Sequence, residues 1–215
     1  MPKIPLTQLS IGEEIGNSIT HGVMAALILL LMPVAAVLAF QKGGWLLMSG
    51  IAIFMISLFL MFLSSCLYHS MSPSSKHKHV FQILDHSFIY VAIAGSYTPV
   101  ALSLIQGWQG VLILIIQWTM VILGILYKSL AKRKIPKASL GIYLTMGWTV
   151  VFFMPSLFQK ADPWFMALLA LGGLLYSVGA WFYKQKHRPY FHFIWHLFVN
   201  FAALSHAIAM LFFLK

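Results

Sequence analysis

Charged residues are scarce in this chain: of its 215 residues, 8% are charged and 60% are hydrophobic. In soluble globular domains about 25% of residues are charged, so this composition excludes a water-soluble fold. Acidic residues are the rarest of all, with four Asp and Glu in total, and long intervals carry no charge. We therefore expect lipid, not water, to surround most of the chain.

Cysteine is nearly absent too. Cys66 is the one cysteine, which excludes an internal disulfide, and its place in an apolar run predicts simple packing within a helix. The sequence also lacks internal repeats, low-complexity segments and linkers long enough to separate two domains. These absences predict a single integral membrane domain over residues 1–215.

The long apolar runs predict how often the chain crosses the membrane. A spanning helix needs about 20 mostly apolar residues, and turn residues such as those at 106–110 separate successive runs. The predicted fold class is all-α, a seven-transmembrane helix bundle. Its predicted spans are 18–41, 44–70, 80–105, 109–130, 137–159, 163–184 and 189–214.

Lysine and arginine positions predict the orientation, because cytoplasmic loops collect basic residues. Eleven of the fourteen Lys and Arg residues lie in the N-terminal tail and in the second, fourth and sixth loops. This alternation predicts a cytoplasmic N-terminus and a C-terminus outside. The net charge of +10 then follows from topology and from anionic lipid at the inner leaflet, so no nucleic-acid partner is predicted.

Ionisable side chains at membrane depth are costly and usually face a functional cavity. The predicted topology brings the polar side chains of four helices to one level, near the cytosolic end of the bundle. They are Glu14, Asn17, Thr20 and His21 of helix one, Ser65 and His69 of helix two, Asp85 and His86 of helix three, and His192 and His196 of helix seven. This convergence predicts a site at that end.

The histidine spacing favours a metal site. His192 and His196 are four residues apart, hence on one helical face, and can offer two imidazoles to one ion. His69 can offer a third, and three imidazoles with one open position suit catalytic Zn²⁺. Asp85 would bind the ion or accept a proton from water, and Ser65 would orient a ligand or water through its hydroxyl. Such a site can hydrolyse an ester or an amide.

Packing is the alternative role for each of these polar residues. His206 lies about 15 Å deeper than His196 along the last helix, and we expect it to pack there or, with Asn200, to line a cavity. His86 points about 100° away from Asp85, which favours a place around the ligands over direct coordination. The loop histidines His77, His79 and His187 are predicted to be solvated.

Three motifs resemble those of the hemolysin III proteins, the bacterial branch of the progestin and adipoQ receptor family. Residues 14–21, EIGNSITH, are similar to the family's first motif, E-x-x-N-x-x-T-H. Residues 65–69, SCLYH, followed by Asp85, are similar to its second, and residues 192–196, HFIWH, to its third, H-x-x-x-H. The run from Asp85 to Pro99 resembles the bacterial branch in particular, and the resemblance covers the full length.

The resemblance implies a seven-helix bundle that binds zinc near the cytosolic side through His69, His192 and His196, with Asp85 close to a water on the ion. The wider CREST-like superfamily is similar to alkaline ceramidases, zinc-dependent lipid amide hydrolases. His86 and Phe193 depart from the residues usual in the eukaryotic receptors, so the receptors' ligand preference is not carried over. The implied location is the bacterial plasma (inner) membrane.

Three functions remain open. The first is a zinc-dependent hydrolase of a membrane lipid amide or ester bond, with a role in membrane homeostasis. The second is a receptor-like regulator of the membrane state with a structural zinc. The third is the pore-forming cytolysin, or hemolysin, of the family's name, which we rank last because a pore needs polar lining through the whole membrane depth. The partner is a membrane lipid, as substrate or ligand, and no oligomeric state is predicted.

Overall fold

The structure is a computed structural model that describes residues 9–130 and 136–214, without the side chains of residues 136–138. All regular structure in these ranges is helical, with no β-strand, which confirms the predicted all-α class. The helices are α1 (Ile11–Ser70), α2 (Lys78–Pro99), α3 (Gly107–Leu130), α4 (Pro136–Trp148), α5 (Met154–Lys160), α6 (Pro163–Lys184) and α7 (Phe191–Ile208).

Three short segments with altered helical geometry extend or join these helices. A π-helical stretch, Val100–Ile105, continues α2, and another, Ala209–Phe213, continues α7. A 3₁₀ stretch, Thr149–Phe153, joins α4 to α5. In the described part of the chain six helical segments are long and apolar enough to cross a membrane: Ile11–Ser70, Lys78–Ile105, Gly107–Leu130, Ser139–Lys160, Pro163–Lys184 and Phe191–Phe213.

The first segment differs from the two spans, 18–41 and 44–70, predicted for it. It has 60 residues, yet it is not one straight rod, because Gly43 and Gly44 have non-helical backbone angles. Gly44 has φ +62° and ψ −155°, a region that residues with a Cβ avoid. We call residues 11–42 the first arm of α1 and residues 45–70 its second arm.

The two arms of α1 run antiparallel. The Ser18 hydroxyl donates to the Cys66 carbonyl (3.2 Å) and lies 2.6 Å from the Ser70 hydroxyl. His69 contacts Glu14, 55 residues away in sequence, a separation of about 80 Å in a straight helix. Residues 14–18 and 66–70 therefore lie at one end of the molecule.

α1 begins at Ile11, earlier than the predicted start at residue 18, because a capping box starts it. Ser10 accepts a hydrogen bond from the Glu13 backbone N–H (3.2 Å), and the Glu13 carboxylate accepts one from the Ser10 N–H (3.2 Å). This reciprocal pair satisfies two donors that a helix start leaves free. The early start places Glu13 and Glu14 on a helix of defined direction.

The remaining helices pack against this hairpin or against one another. α2 packs against α1 and α3, and α7 packs against α6 and α1. Three exposed tryptophans, Trp45, Trp108 and Trp164, follow the turns at Gly44, Gly107 and Asp162. Tryptophan concentrates at the membrane–water interface, so these three mark one end of the bundle, opposite to the end that holds residues 14–18 and 66–70.

Candidate metal centre

Three histidines bring one ligand nitrogen each within 4.8 Å of one another and form a group that could hold a metal ion. His69 comes from the last turn of the second arm of α1, and His192 and His196 come from the first turns of α7. His69 and His196 are buried, and His192 is partly buried. The helical hairpin and α7 thus assemble a cluster from residues that are far apart in sequence.

The spacing of the two α7 nitrogens fits a tetrahedral ion. The Nε2 atoms of His192 and His196 are 3.3 Å apart, and two imidazoles on one tetrahedral zinc place their nitrogens about 3.3 Å apart. The Nε2 atom of His69 is buried and has no hydrogen-bond partner among the described residues. Since leaving a buried nitrogen unpaired is costly, the donor set fits a cation bound between the three rings.

Glu14 determines which nitrogen of His69 is free. Its Oε2 atom lies 2.5 Å from the His69 Nδ1 atom. A carboxylate only accepts hydrogen bonds, so Nδ1–H donates to Glu14 and the lone pair is on Nε2. A carboxylate behind a ligand histidine is the usual arrangement at metal sites, where it orients the ring.

Asp85 lies beside the three histidines and outside their group. It borders an internal cavity of about 330 Å³ together with Ser65, His192 and His196, and cavities of about 300–1,000 Å³ are usual for small-molecule ligands. A smaller pocket of about 20 Å³ also touches Asp85 and His192 and is lined by Gln82. This pocket is large enough for about one water molecule.

Lys186 borders the same small pocket from the connection between α6 and α7. Burial lowers the pKa of its ammonium group, and the Asp85 carboxylate opposes that shift. Its Nζ atom also lies 4.8 Å from the ring centre of Tyr183. A basic group therefore lies close to the one carboxylate on the cavity wall at this end.

The large cavity extends from the histidines into the apolar interior. α2 and the π-helical stretch that continues it line the cavity from Asp85 to Ile105, an axial length of about 30 Å, close to the thickness of the hydrocarbon core. Most of its walls are aliphatic, aromatic or methionine side chains, including Phe54, Leu58, Met61, Ile93, Val100, Leu169 and Val199. Polar chemistry is thus confined mainly to one end of a long apolar space.

The other predicted residues of α1 differ in their contacts with the three histidines. The His21 ring stacks on the His196 ring, with centres 3.9 Å apart. Asn17 is fully buried one turn earlier, and its side-chain atoms have no partner within residues 9–130 and 136–214. The Thr20 hydroxyl instead donates to the Gly16 carbonyl (2.8 Å) of its own helix. This bond joins Thr20 to its own helix and not to the three histidines.

His86 lines the cavity beside Asp85. Its Nδ1 atom is 2.6 Å from the Gln82 carbonyl and 3.6 Å from Asp85 Oδ2, and its Nε2 atom is 3.4 Å from the Tyr183 hydroxyl. Since a carbonyl only accepts, Nδ1–H is the donor. His86 is thus held by α2 and α6 and does not face the ligand nitrogens.

His206 and Asn200 lie deeper on α7. His206 borders the cavity, and its Nε2 atom is 3.2 Å from the Leu169 carbonyl of α6. Asn200 is buried, and its Oδ1 atom has no partner in the described part of the chain. The loop histidines His77, His79 and His187 are exposed, as their position between spans predicts.

The sequence interpretation missed Glu13 and Lys78. Lys78 counted only as a loop charge, yet it is 2% exposed and donates to Glu14 Oε1 (2.7 Å). Nothing in its spacing predicts this contact, because 64 residues separate the partners. Glu13 did carry a signal, since Ser10 and Glu13 match the S-x-x-E pattern of a capping box.

Comparison with known proteins agrees with the motifs. The family model described as "Haemolysin-III related" matches residues 9–207. Hemolysin-3 of Bacillus cereus is 40% identical over 187 residues, which cover 87% of this chain and 85% of the relative. The Hemolysin-3 homolog of Bacillus subtilis (strain 168) is 38% identical over 190 residues, with 88% and 89% covered.

A human relative links the chain to the eukaryotic branch. The human monocyte to macrophage differentiation factor is 33% identical over 155 residues, which cover 70% of this chain and 64% of the relative. This match supports the relationship to the progestin and adipoQ receptors inferred from the motifs. With a family match over nearly the whole length and two bacterial relatives near 40% identity, the chain belongs to the hemolysin III family of membrane proteins.

Proposed function

We propose that this protein is a zinc-dependent hydrolase that cleaves an amide or ester bond of a membrane lipid, in the bacterial plasma membrane, with a role in membrane homeostasis. One observation carries the proposal: His192 and His196 of the three-histidine cluster line the polar end of a cavity whose other walls are mainly apolar. The cluster offers ligands for an ion, and the cavity offers a binding site for an acyl chain.

Zinc is the metal that this donor set favours. Three neutral imidazoles with one further position match catalytic zinc sites, whereas hard cations such as Mg²⁺ prefer oxygen ligands. Bound there, zinc would supply Lewis acidity that lowers the pKa of water to about 7 and polarises a carbonyl oxygen. His69, His192 and His196 would hold the ion, and Glu14 would orient the first of them.

We assign the proton transfer to Asp85. It borders the cavity next to His192 and His196, so its carboxylate would accept the proton of the water that attacks the carbonyl carbon. When the bond to the amine or alcohol breaks, Asp85 would return that proton to the leaving group. Ser65, on the same cavity wall, would orient the polar part of the lipid through its hydroxyl.

The apolar part of the cavity would hold the lipid tail, and its wall suggests an entry path. Gly147, Trp148, Ala170 and Leu174 border the cavity and are also exposed on the outer surface between α4 and α6. Trp148 Nε1–H donates to the Ser177 hydroxyl (3.2 Å) across this gap. A lipid would therefore reach the cavity sideways from the bilayer, without passing through water.

We infer that α1 crosses the membrane twice, which makes seven crossings with the N-terminus in the cytoplasm. The antiparallel arms of α1, the break at Gly44 and the exposed tryptophans at the opposite end support this topology. Combined with the bias of basic residues, it puts the histidine cluster at the cytosolic face.

Two alternatives keep the metal site and change its purpose. In a receptor-like regulator the ion would be structural and would tie the α1 hairpin to α7. In a cytolysin, the activity that the relatives' name Hemolysin-3 denotes, the chain would conduct. The second alternative is disfavoured by the apolar walls beyond the histidines, since a conducting path needs polar lining throughout.

The decisive experiment combines metal analysis with lipid analysis. Protein purified without chelators should contain about one zinc per chain, as the three-ligand site requires, and His196→Ala should contain none. His79→Ala, an exposed histidine, is the matched control and should retain the zinc. Lipid products should accumulate with wild type and with His79→Ala, and should be lacking with His196→Ala.

Other results of this experiment would contradict the proposal or favour one of the two alternatives. Wild-type protein without zinc contradicts the proposal outright. Zinc without any lipid product, together with a lower Tm in His196→Ala, favours the structural role. Leakage of liposomes caused by pure wild type and lost in His196→Ala favours the cytolysin.

A further inference from the structure

Two adjacent carboxylates at the start of α1 contact two different parts of the metal centre. Glu14 contacts His69, which supplies one imidazole. Glu13 contacts the backbone of Tyr190, which directly precedes α7 and the histidine pair on it. Neither carboxylate belongs to the three-histidine group, yet together they reach both chain segments that form it.

Glu14 is itself held by a buried cation. Lys78 Nζ donates to Glu14 Oε1 (2.7 Å) and to the carbonyl of Met71 (2.8 Å), the C-cap of α1. It also lies 5.1 Å from the ring centre of Tyr68. With Lys78 on one oxygen and His69 on the other, the Glu14 carboxylate has one orientation in which both bonds form.

Glu13 is held just as firmly. Its Oε2 atom accepts from the N–H and the hydroxyl of Ser10 (3.2 and 3.0 Å), and its Oε1 atom accepts from the Tyr190 N–H (2.6 Å). Tyr190 has φ +60°, in the left-handed region, where a residue other than glycine is strained. The bond to Glu13 thus fixes a turn that sets where α7, and with it His192, begins.

The close approach of α1 and α7 allows these contacts. A Cβ at Gly16 would lie 2.9 Å from the Phe193 ring, so a larger residue there would push the two helices apart. Gly16 lies on the turn that follows Glu13, and Phe193 lies between the two ligand histidines of α7 in sequence. The first turns of both helices are therefore packed as one unit.

We propose that Glu13 and Glu14 are positioning residues of the metal centre, and that Lys78 is the charge partner that holds Glu14 in place. Glu14 turns the free nitrogen of His69 towards the other two rings, and Glu13 sets the position of α7. The proposal rests on metal binding by the three histidines, as proposed above. It adds that affinity for the ion is set from outside the ligand set.

A purely structural role predicts something different. Lys78 is buried and Glu14 is partly buried, and breaking such an ion pair lowers stability whether or not a metal site is near. Thermal stability alone therefore does not separate the two roles. Metal affinity does, because removing a partner behind a ligand histidine weakens binding by about 10–100-fold.

The test is titration of the metal-depleted full-length protein in detergent with Zn²⁺ and with Co²⁺, whose visible absorption reports ligand geometry. Glu14→Gln and Lys78→Met should weaken binding by about tenfold or more and alter the Co²⁺ spectrum. Lys78→Arg should bind almost as wild type does. Glu13→Ala should weaken binding, and Glu13→Gln, whose single amide oxygen can accept from Tyr190 or from Ser10, should weaken it less.

Matched controls come from the opposite end of the bundle. Lys42→Met removes a lysine that also donates to backbone carbonyls, those of Leu211 and Phe212. Asp162→Asn changes a carboxylate that also caps a helix, through the Trp164 N–H. Both controls should leave metal affinity unchanged, whatever they do to Tm.

The outcomes separate this inference from the proposed function. If wild type binds neither metal, the proposed function fails and takes the inference with it. If wild type binds and Glu14→Gln and Lys78→Met bind equally well, with Tm lowered or not, only the inference is overturned. Should Lys78→Met fail to fold, the comparison of Glu14→Gln with wild type and with Asp162→Asn decides.

Discussion

At the scale of single residues, Asp85 lies outside the group of three histidines that could hold an ion. The three histidines converge within 4.8 Å, and Asp85 borders the cavity outside that group. An acid–base residue works best there, close to the reacting atoms and not neutralised by direct coordination. Substituting Asp85 should therefore affect metal content and turnover differently from substituting a metal ligand.

Asp85→Asn should retain the metal and lose the reaction. Its amide cannot accept a proton, and removing a general base lowers rates by about 10²–10⁴-fold. Metal content per chain should stay at the wild-type value. Turnover of the lipid substrate and metal content, measured on the same preparation, check both halves. Asp162→Asn, at the far end, is the control, and loss of metal from Asp85→Asn would show that Asp85 is a ligand.

Residue-scale prediction from sequence succeeds for spacing and fails for long-range pairing. His192 and His196 follow from helical periodicity, since positions four apart share a face. Thr20 lies in the same motif region, yet its hydroxyl donates to a carbonyl of its own helix. The sequence has no feature that distinguishes a threonine that bonds to its own helix from one that faces a site. Lys78 matches the pattern of a loop charge and is buried against Glu14, because a partner 64 residues away leaves no local signal.

At the scale of elements, the break in α1 is what makes the centre possible. Without it, His69 and Glu14 would lie about 80 Å apart. Gly44 permits the reversal through a backbone conformation with positive φ, and a Cβ there would meet no described atom within 4 Å. The cost of replacing this glycine is therefore conformational and not steric.

Gly44→Ala should lower the free energy of unfolding by about 1–3 kcal/mol, the cost of that backbone region for a residue with a Cβ. Gly141→Ala is the matched control, because Gly141 lies within α4 and also has open space around it. There alanine should raise stability by up to about 1 kcal/mol, since it favours a helix. Unfolding by denaturant in detergent measures both, and equal signs would contradict the assigned role of Gly44.

Apolar runs predict the helices well because lipid leaves the backbone no partners but its own. A proline within a span can change the helical geometry, but the sequence does not show whether or how the geometry changes. Pro99 ends α2 where the π-helical stretch begins, and Pro155 lies in the first turn of α5 after the 3₁₀ stretch. Pro33 lies within α1 without a comparable change. Which response occurs depends on neighbouring helices, and the sequence of one span does not contain them.

At the scale of the whole molecule, the cavity runs from the histidines of α7 to exposed residues between α4 and α6. Gly173 borders it on α6, and a Cβ built there meets nothing within 4 Å among the described atoms. A Cβ can thus be added at this position without a close contact. The position offers a way to fill the cavity while leaving the histidines untouched.

Gly173→Leu should lower turnover of a long-chain lipid by about tenfold, equivalent to about 1.4 kcal/mol, because leucine would occupy space needed by the lipid tail. Stability should be unchanged or higher by up to about 1 kcal/mol, and metal content should not change. Gly141→Leu, with open space and no place on the cavity wall, should behave as wild type. Equal turnover in both variants would argue against the cavity as the lipid site.

The topology predicts which surface positions a membrane-impermeant maleimide reaches. In a Cys66→Ala background, Trp45→Cys and Trp164→Cys should be labelled from outside intact cells. Pro73→Cys and His187→Cys should be labelled only after permeabilisation, since they lie at the histidine end. All four positions are exposed, so access depends on side alone. Labelling of positions 45 and 73 from the same side would contradict two crossings by α1.

The histidine cluster combines a residue of the first helix with two residues of α7, and this order determines when the cluster can form during biosynthesis. Translation makes His69 early, together with Glu14, but His192 and His196 lie on α7, which follows every other described helix. A nascent chain stalled before residue 192 contains His69 and neither of the other two histidines of the cluster, so the three-ligand site cannot form. Capture of the proposed metal would therefore be a late event, after α7 has been inserted beside α1.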